Sequence, residues 1–379
     1  MRKIQMVDLQ KQYQEIKVEV DNSIQEVINN CTFINGPTVK QFQANLEKYL
    51  NVKHVIPCGN GTDSLQVALM ALDLQPGDEV ITTTFTFIAT AEVIALLKLT
   101  PVLVDVEPDT FNIYINAVER AITPKTKAII PVHLFGQCVN MEALMKLAEK
   151  HNLFVVEDAC QAIGASYYFS NGETKKAGTI GTIGCTSFFP SKNLGCYGDG
   201  GAAFTNDDEL AKKLRGIVNH GMFIRYYHDI IGVNSRLDSI QAAVLDVKLK
   251  HLDAYAERRN KAAEFYNKAF ANHENISTPV VNNQTTHVFH QYTLVLHNVE
   301  RAKVIAYMQE KEIPVMIYYP VPLHLQKAYQ DPRYKKGDFP VSEHLSANVI
   351  SLPMHTELDQ EQLDYITSNL LKAIETAKN

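Results

Sequence analysis

Positive charge is in short supply. Lys and Arg number 36 against 42 Asp and Glu, a net charge of −6, so no basic excess exists to hold nucleic acid or an anionic membrane by bulk electrostatics. Cysteine is sparse and scattered. Cys31, Cys58, Cys138, Cys160, Cys185 and Cys196 contain no C-x-x-C pair, which excludes a zinc spacing and a disulfide framework and fits a reducing compartment. The opening "MRKIQMVDLQKQYQEIK" has none of the apolar core of a signal peptide. No apolar run reaches the ~18–20 residues of a transmembrane helix. Repeats, low-complexity tracts and long linkers are missing too. Neither G-x-x-x-x-G-K-S/T nor G-x-G-x-x-G occurs, which removes the usual signatures of a P-loop enzyme and of a nicotinamide dehydrogenase. The expectation is a soluble cytoplasmic protein without a metal centre, a membrane span or a nucleic-acid partner.

What is present is a strong alternation. From Val52 to about Phe204, "DEVITTTF", "PVLVDV", "KAIIPVHLFG", "LFVVEDA" and "GCTSFF" read as strands. Helical patterns such as "MEALMKLAEKHN" and "SLQVALMALDL" lie between them; in the second, Leu65, Ala68, Leu69 and Leu72 share one helix face. This alternation predicts an α/β fold with a mostly parallel sheet covered on both sides. Asp105, His133 and Asp158 fall at or just past strand ends, where ligands gather on such a sheet. After Asn234 the pattern changes to a helix without a turn signal until Asn272, then to mixed strand and helix. With 379 residues, the chain exceeds a single small core. Two domains are expected, a large one over residues 1–250 and a smaller α+β one over 251–379.

Four short stretches carry chemistry. In "CGNGTDSLQVALM", Gly59 and Gly61 loosen a loop before Thr62, Asp63 and Ser64 cap a helix. Free amides and a helix dipole there suit a phosphate, although an ordinary N-cap has the same appearance. "TFTFIATAEV" offers Phe87, either an aromatic cover for a planar ring or a plain core residue. "LFVVEDACQA" ends a strand in Glu157 and Asp158, with Gln161 three residues on. A carboxylate in that place caps a helix or keeps a pyridinium ring protonated. In "TSFFPSKNLGCYGDGGAAFTN", Lys192 stands between an apolar strand and a run of glycines. A solvated lysine needs no such setting, and a desolvated one becomes a usable nucleophile. Together, in this order, the four describe a pyridoxal phosphate site on a large α/β domain.

The whole chain then resembles the DegT/DnrJ/EryC1/StrS sugar aminotransferases, fold type I enzymes with an aspartate-aminotransferase-like large domain. The resemblance rests on "GNGTDSL", "TFTFIATA", "VHLFGQ", "EDACQAIGA", "FFPSKNLGCYGDGGA", "GVNSRLDSIQAA", "YYPVPLH" and "SLPMH". It implies pyridoxal 5′-phosphate as cofactor, with Lys192 carrying it covalently and shuttling protons. Asp158 would face the pyridine nitrogen, Gln161 the ring hydroxyl side, and Phe87 would cover the ring. Gly61, Thr62, Asp63 and Ser187 would hold the phosphate, joined by Asn234 from a neighbouring subunit of a homodimer. Arg236, Tyr318, Tyr319 and His324 would line the sugar site, although Arg236 could instead merely fix its own loop. Some relatives are dehydratases with histidine in place of this lysine, so Lys192 favours transamination from glutamate to a nucleotide-linked keto sugar. "YYPVPLH" and "IQMVDLQKQY" look most like the branch acting on 3-keto sugars. UDP-2-acetamido-2-deoxy-3-oxo-D-glucuronate is the leading expectation, in lipopolysaccharide or O-antigen sugar biosynthesis. A dTDP-3-keto-6-deoxyhexose substrate and a C4-specific enzyme are the runners-up. Outside the class, a non-catalytic protein on the same fold would have no need of Lys192, Asp158 and Gln161 together.

Overall fold

The computed structural model describes residues 2–378. Two helices lead the chain, α1 (Leu9–Asn29) and α2 (Pro37–Leu50). Seven strands then build the central sheet: β1 (His54–Cys58), β2 (Glu79–Thr83), β3 (Thr100–Val104), β4 (Thr126–Ile130), β5 (Phe154–Asp158), β6 (Ile183–Ser187) and β7 (Gly201–Thr205). Their spatial order is β1-β7-β6-β5-β4-β2-β3. Every pair from β6 to β3 is parallel, and only β7 runs against its neighbours β1 and β6.

Helices α3 (Gly61–Ala71), α4 (Ala89–Leu96), α5 (Ile115–Ala121) and α6 (Met141–His151) make the crossovers, and α7 (Asp208–Ile217) follows β7. The strands are buried on both faces because helices cover both, which is why "VITT", "AII" and "FVVED" show no polar alternation. One face packs Leu65, Leu69, Val156 and Ile183 into a common core with α7; the other packs Ile81, Ile129 and Val155 against α5 and α6.

The expected mostly parallel sheet is observed, with its strands where the apolar runs place them. Two strands of this sheet went unread. β1 ("HVIPC") contains a proline, and β7 ("GAAFT") is short, small and glycine-led, so neither has strong β propensity. The predicted continuous helix to Asn272 is two helices, α8 (Ser239–Leu249) and α9 (Leu252–Ala269). Lys250 and His251 donate to carbonyls three residues back, at 3.2 and 3.0 Å, which tightens the last turn. This break leaves Leu249 and Leu252 in one core cluster. No glycine or proline marks it in the sequence.

Beyond α9, strands β8 (Ile276–Ser277), β9 (Tyr292–Leu296) and β10 (Val349–Leu352) form an antiparallel sheet in the order β8-β9-β10. Helices α10 (Arg301–Glu310), α11 (Pro340–Asn348) and α12 (Gln360–Ala377) accompany it. Tyr266, Tyr292, Ile350 and Leu370 share its core with Ile4 from the start of the chain. Among the described residues, no helix is long and apolar enough to cross a membrane.

Candidate active site

β5 ends in two carboxylates that face opposite ways, as neighbouring residues of a strand must. Glu157 turns inward and is fully buried. It accepts from the amides of Gly178, Ile180 and Gly181 and from His133 Nε2 at 2.8 Å. Val139 N–H donates to His133 Nδ1, which leaves the ring proton on Nε2. His133 and Glu157 therefore fix the loop entering β6. Asp105, the other strand-end candidate, accepts from the amides of Val341 and Ser342 and so caps α11.

Asp158 turns the other way. Thr90 donates its hydroxyl to Oδ2 at 2.8 Å, and the Cys160 amide donates to Oδ1 at 3.2 Å. Lys192 lies in the tight loop that follows β6. Its own amide donates to the Phe189 carbonyl, and the loop closes through the Cys196 amide to the Phe188 carbonyl, both at 2.8 Å. Burial pushes the Lys192 ammonium below its ordinary pKa, against the opposing charges of Cys160 and Asp158. Among the described residues, the ammonium has no ion-pair partner. Burial also drives His290 well below its usual range, and the Lys192 charge adds to that.

The turn after β1 makes the third part. Its cap is Asn60, not Thr62, Asp63 or Ser64: Asn60 Oδ1 accepts from the Asp63 amide at 2.8 Å. This leaves the amides of Gly61 and Thr62 at the open N-terminus of α3. A Cβ on Gly61 would lie 2.6 Å from Ser187 Cβ and 3.0 Å from Cys160 Sγ, so the turn is pressed against the end of β6. The Asp63 carboxylate faces away, accepting from Ser235 Oγ at 2.6 Å. The same oxygen of Ser235 accepts from the Gly59 amide.

Gln161 accepts from the Phe135 amide at 2.8 Å and donates through Nε2 to Tyr319 Oη at 3.0 Å. The Tyr319 ring lies 6.3 Å from that of Phe87, which is exposed, and 5.9 Å from that of Tyr318. His324 is buried with both ring nitrogens engaged, Nδ1 with Thr84 Oγ1 at 2.9 Å and Nε2 with Glu343 Oε1 at 3.1 Å. It holds "YYPVPLH" to the end of β2. Asn234 is exposed, its backbone bridged to Asn219. Arg236 lines a groove with Lys40, Arg215 and Asn219 that borders none of the other candidates.

Lys192, Asp158, Gln161, Ser187, Phe87, Tyr319 and the Gly61–Thr62 amides thus gather at the C-terminal edge of the parallel strands. Asn234 and Arg236 flank Ser235, which is bonded to the same turn, but Asn234 is exposed and Arg236 faces the groove with Lys40 and Arg215. Thr84, Thr90 and Ser235 carry no signal of their own in the sequence; each sits unmarked inside or beside a motif whose other residues attracted attention.

The residues fit pyridoxal phosphate. A glycine cradle pressed against Ser187, two amides at a helix N-terminus, a buried carboxylate and an unpaired lysine are the donors and acceptors that its phosphate, ring nitrogen and aldehyde require. The DegT/DnrJ/EryC1/StrS aminotransferase family matches residues 14–371. The chain belongs to that family. It is therefore a pyridoxal-phosphate-dependent sugar aminotransferase. A pleiotropic regulatory protein of Geobacillus stearothermophilus is 47% identical over 97% of each chain. The UDP-2-acetamido-2-deoxy-3-oxo-D-glucuronate aminotransferase of Pseudomonas aeruginosa is 44% identical over 97% of this chain and 99% of its own. Among solved structures, S. venezuelae DesV in complex with a ketimine intermediate superposes with a TM-score of 0.94, at 37% identity over 99% of both chains.

Proposed function

We propose that this aminotransferase transfers the amino group of glutamate to C3 of UDP-2-acetamido-2-deoxy-3-oxo-D-glucuronate, in the cytoplasm, for surface-polysaccharide synthesis. The observation that carries the sugar is the full-length likeness to the P. aeruginosa enzyme. A dTDP-linked 3-keto-6-deoxyhexose is the second reading, and the two differ in whether C6 bears a carboxylate or a methyl group.

The geometry supports the following roles. Pyridoxal phosphate, when bound, would supply an electron sink beside the carbon that gains or loses nitrogen. Lys192, lowered in pKa by burial, would move a proton between the cofactor and that carbon, off it as glutamate loses nitrogen and onto it as the sugar gains nitrogen. Asp158, held by Thr90, keeps a proton on the ring nitrogen. The Gly61 and Thr62 amides and Ser187 hold the phosphate at the start of α3. Phe87 and Tyr319 exclude water from the ring, with Gln161 fixing Tyr319.

The working unit in this reading is a homodimer whose partner supplies Asn234 and Arg236. Support comes from the apolar surface of the chain: Tyr226 is 77% and Ile231 87% exposed, in the segment between α7 and Asn234, with Phe33 and Ile34 also bare. Residues 1–250 and 251–379 are its two domains, divided at the helix break.

An amine-transfer assay against a panel of keto sugar nucleotides tests the substrate. The 3-oxo-glucuronate should give the highest kcat/KM, and a preference for a neutral C6 would overturn that assignment.

A further inference from the structure

Helix α8 buries an apolar face of Ala242, Ala243, Val244, Leu245, Val247 and Leu249, and in the midst of it lies Lys248, only 1% exposed. A buried ammonium is costly unless paired. Among the described residues, Lys248 pairs with no carboxylate. Its Nζ instead donates to the carbonyl of Gly195 at 2.8 Å and lies 4.7 Å from the centre of the Tyr197 ring.

Gly195 is three residues past Lys192, at the base of the loop that carries it. The loop turns so sharply there that a Cβ on Gly195 would lie 2.3 Å from the Pro190 carbonyl oxygen. A second side chain of α8 acts beside the first: Gln241 Oε1 accepts from the Tyr197 amide at 2.8 Å. The residue after Lys192 is tied elsewhere, Asn193 Nδ2 donating to the Val288 carbonyl at 2.8 Å. Two residues separate α8 from the segment Asn234–Arg236, whose Ser235 is bonded to the turn at the start of α3. α8 and the segment just before it therefore give two supports, Ser235 on the phosphate turn and Gln241 with Lys248 on the lysine loop.

We propose that Lys248 is a positioning residue for Lys192: from within α8 it fixes the Gly195 carbonyl, and so sets where the loop delivers the Lys192 ammonium. The proposal rests on Lys192 being the cofactor lysine. An apolar side chain at 248 would suit the surrounding core better, but would leave the Gly195 carbonyl buried without a donor. Lysine is long enough to reach it, and the Tyr197 face takes up part of the charge.

The test is Lys248→Met, with Lys248→Gln as the variant that retains a donor without the charge. The Met variant should lower kcat about 10²-fold in both half-reactions, the scale of a misplacement near 1 Å, with KM for both substrates nearly unchanged. The Gln variant should recover part of that loss. In the cofactor-free protein, hydrogen exchange at the amides of 193–198 should accelerate in the Met variant while β4 and β5 stay protected. If the Met variant does not fold, the Gln variant must still show the faster exchange and a reduced kcat. Native kcat in the Met variant, or unchanged exchange at 193–198, overturns the proposal. Lys192→Ala serves as the control: turnover by that variant would overturn the reading of Lys192 and the proposal with it. An inactive Lys192→Ala beside a fully active Lys248→Met removes the proposal alone.

Discussion

The hydroxyl of Thr90 donates to Oδ2 of Asp158 at 2.8 Å, and both side chains are buried. Thr90 lies in the first turn of α4, three residues past Phe87, so one stretch of chain carries both Phe87 and the hydroxyl that holds Asp158. A hydrogen bond to a charged group contributes roughly 1.5–3 kcal/mol. Thr90→Val, which keeps the shape and loses the hydroxyl, should therefore cost about 10- to 100-fold in kcat for both half-reactions. Thr90→Ser should recover most of it. Kinetics of the three proteins, beside melting curves of their cofactor-free forms, separate this from a loss of fold: equal turnover by Val and Thr would leave Asp158 positioned by other means.

Removing the Lys192 and Asp158 side-chain groups should have unequal effects. Lys192→Ala should abolish turnover and the visible absorbance of lysine-bound cofactor while the fold survives. Asp158→Asn should retain the cofactor but lose about 10²–10⁴-fold in rate, because a neutral amide does not hold the pyridinium charge. An Asn variant within a few-fold of native would reduce Asp158 to a structural cap.

The proposed sharing of each site between two protomers predicts complementation. Lys192→Ala and Asn234→Ala chains, each inactive alone, should regain activity when mixed and refolded together, because one hybrid site carries neither lesion. Sedimentation should show a dimer throughout. A fully active monomer would contradict the arrangement.

Arg236 tests the charge at C6. It lines a groove with Lys40 and Arg215, a local concentration of cations on an acidic chain. Guanidinium pairs a carboxylate in two-pronged fashion. If the partner's site uses it for the sugar, Arg236→Ala should raise KM for the keto sugar and spare the glutamate half-reaction. The penalty should shrink for a matched sugar with a neutral C6. Equal damage to both half-reactions would assign Arg236 to its own loop.

Lys248 also predicts a pH dependence of stability. Burial pushes its pKa from 10.5 down to about 8, so the folded state disfavours the charged form. The penalty is fully present below about pH 8 and vanishes above the unfolded value of 10.5. It amounts to about 3 kcal/mol at most, offset in part by the bond to Gly195. Lys248→Met should therefore gain stability relative to native at pH 7 and lose that advantage by pH 10. Denaturant melts at the two pH values measure it, and a Met variant that is equally destabilised at both would show that the hydrogen bond outweighs the charge.

The α/β class, the place of five of the seven main-sheet strands, and the position of Asp158 and Lys192 at a strand end and in a glycine-rich loop were legible in the sequence. These are local properties: a buried parallel strand is an apolar run, its end is a polar residue, and a loop that must turn tightly is rich in glycine. Tertiary structure decided what each polar group faces. Asp63 reads as a phosphate neighbour, but its carboxylate turns to a hydroxyl 172 residues away. His324 reads as a substrate ligand, but its ring is held between Thr84, 240 residues distant, and Glu343. Lys248 drew no expectation in the sequence, and its burial and its bond to Gly195 arise from the packing of α8. Hydrogen-bond partners are chosen by proximity in space, and for these groups that proximity arises only once the sheet, the loops and α8 have closed on one another.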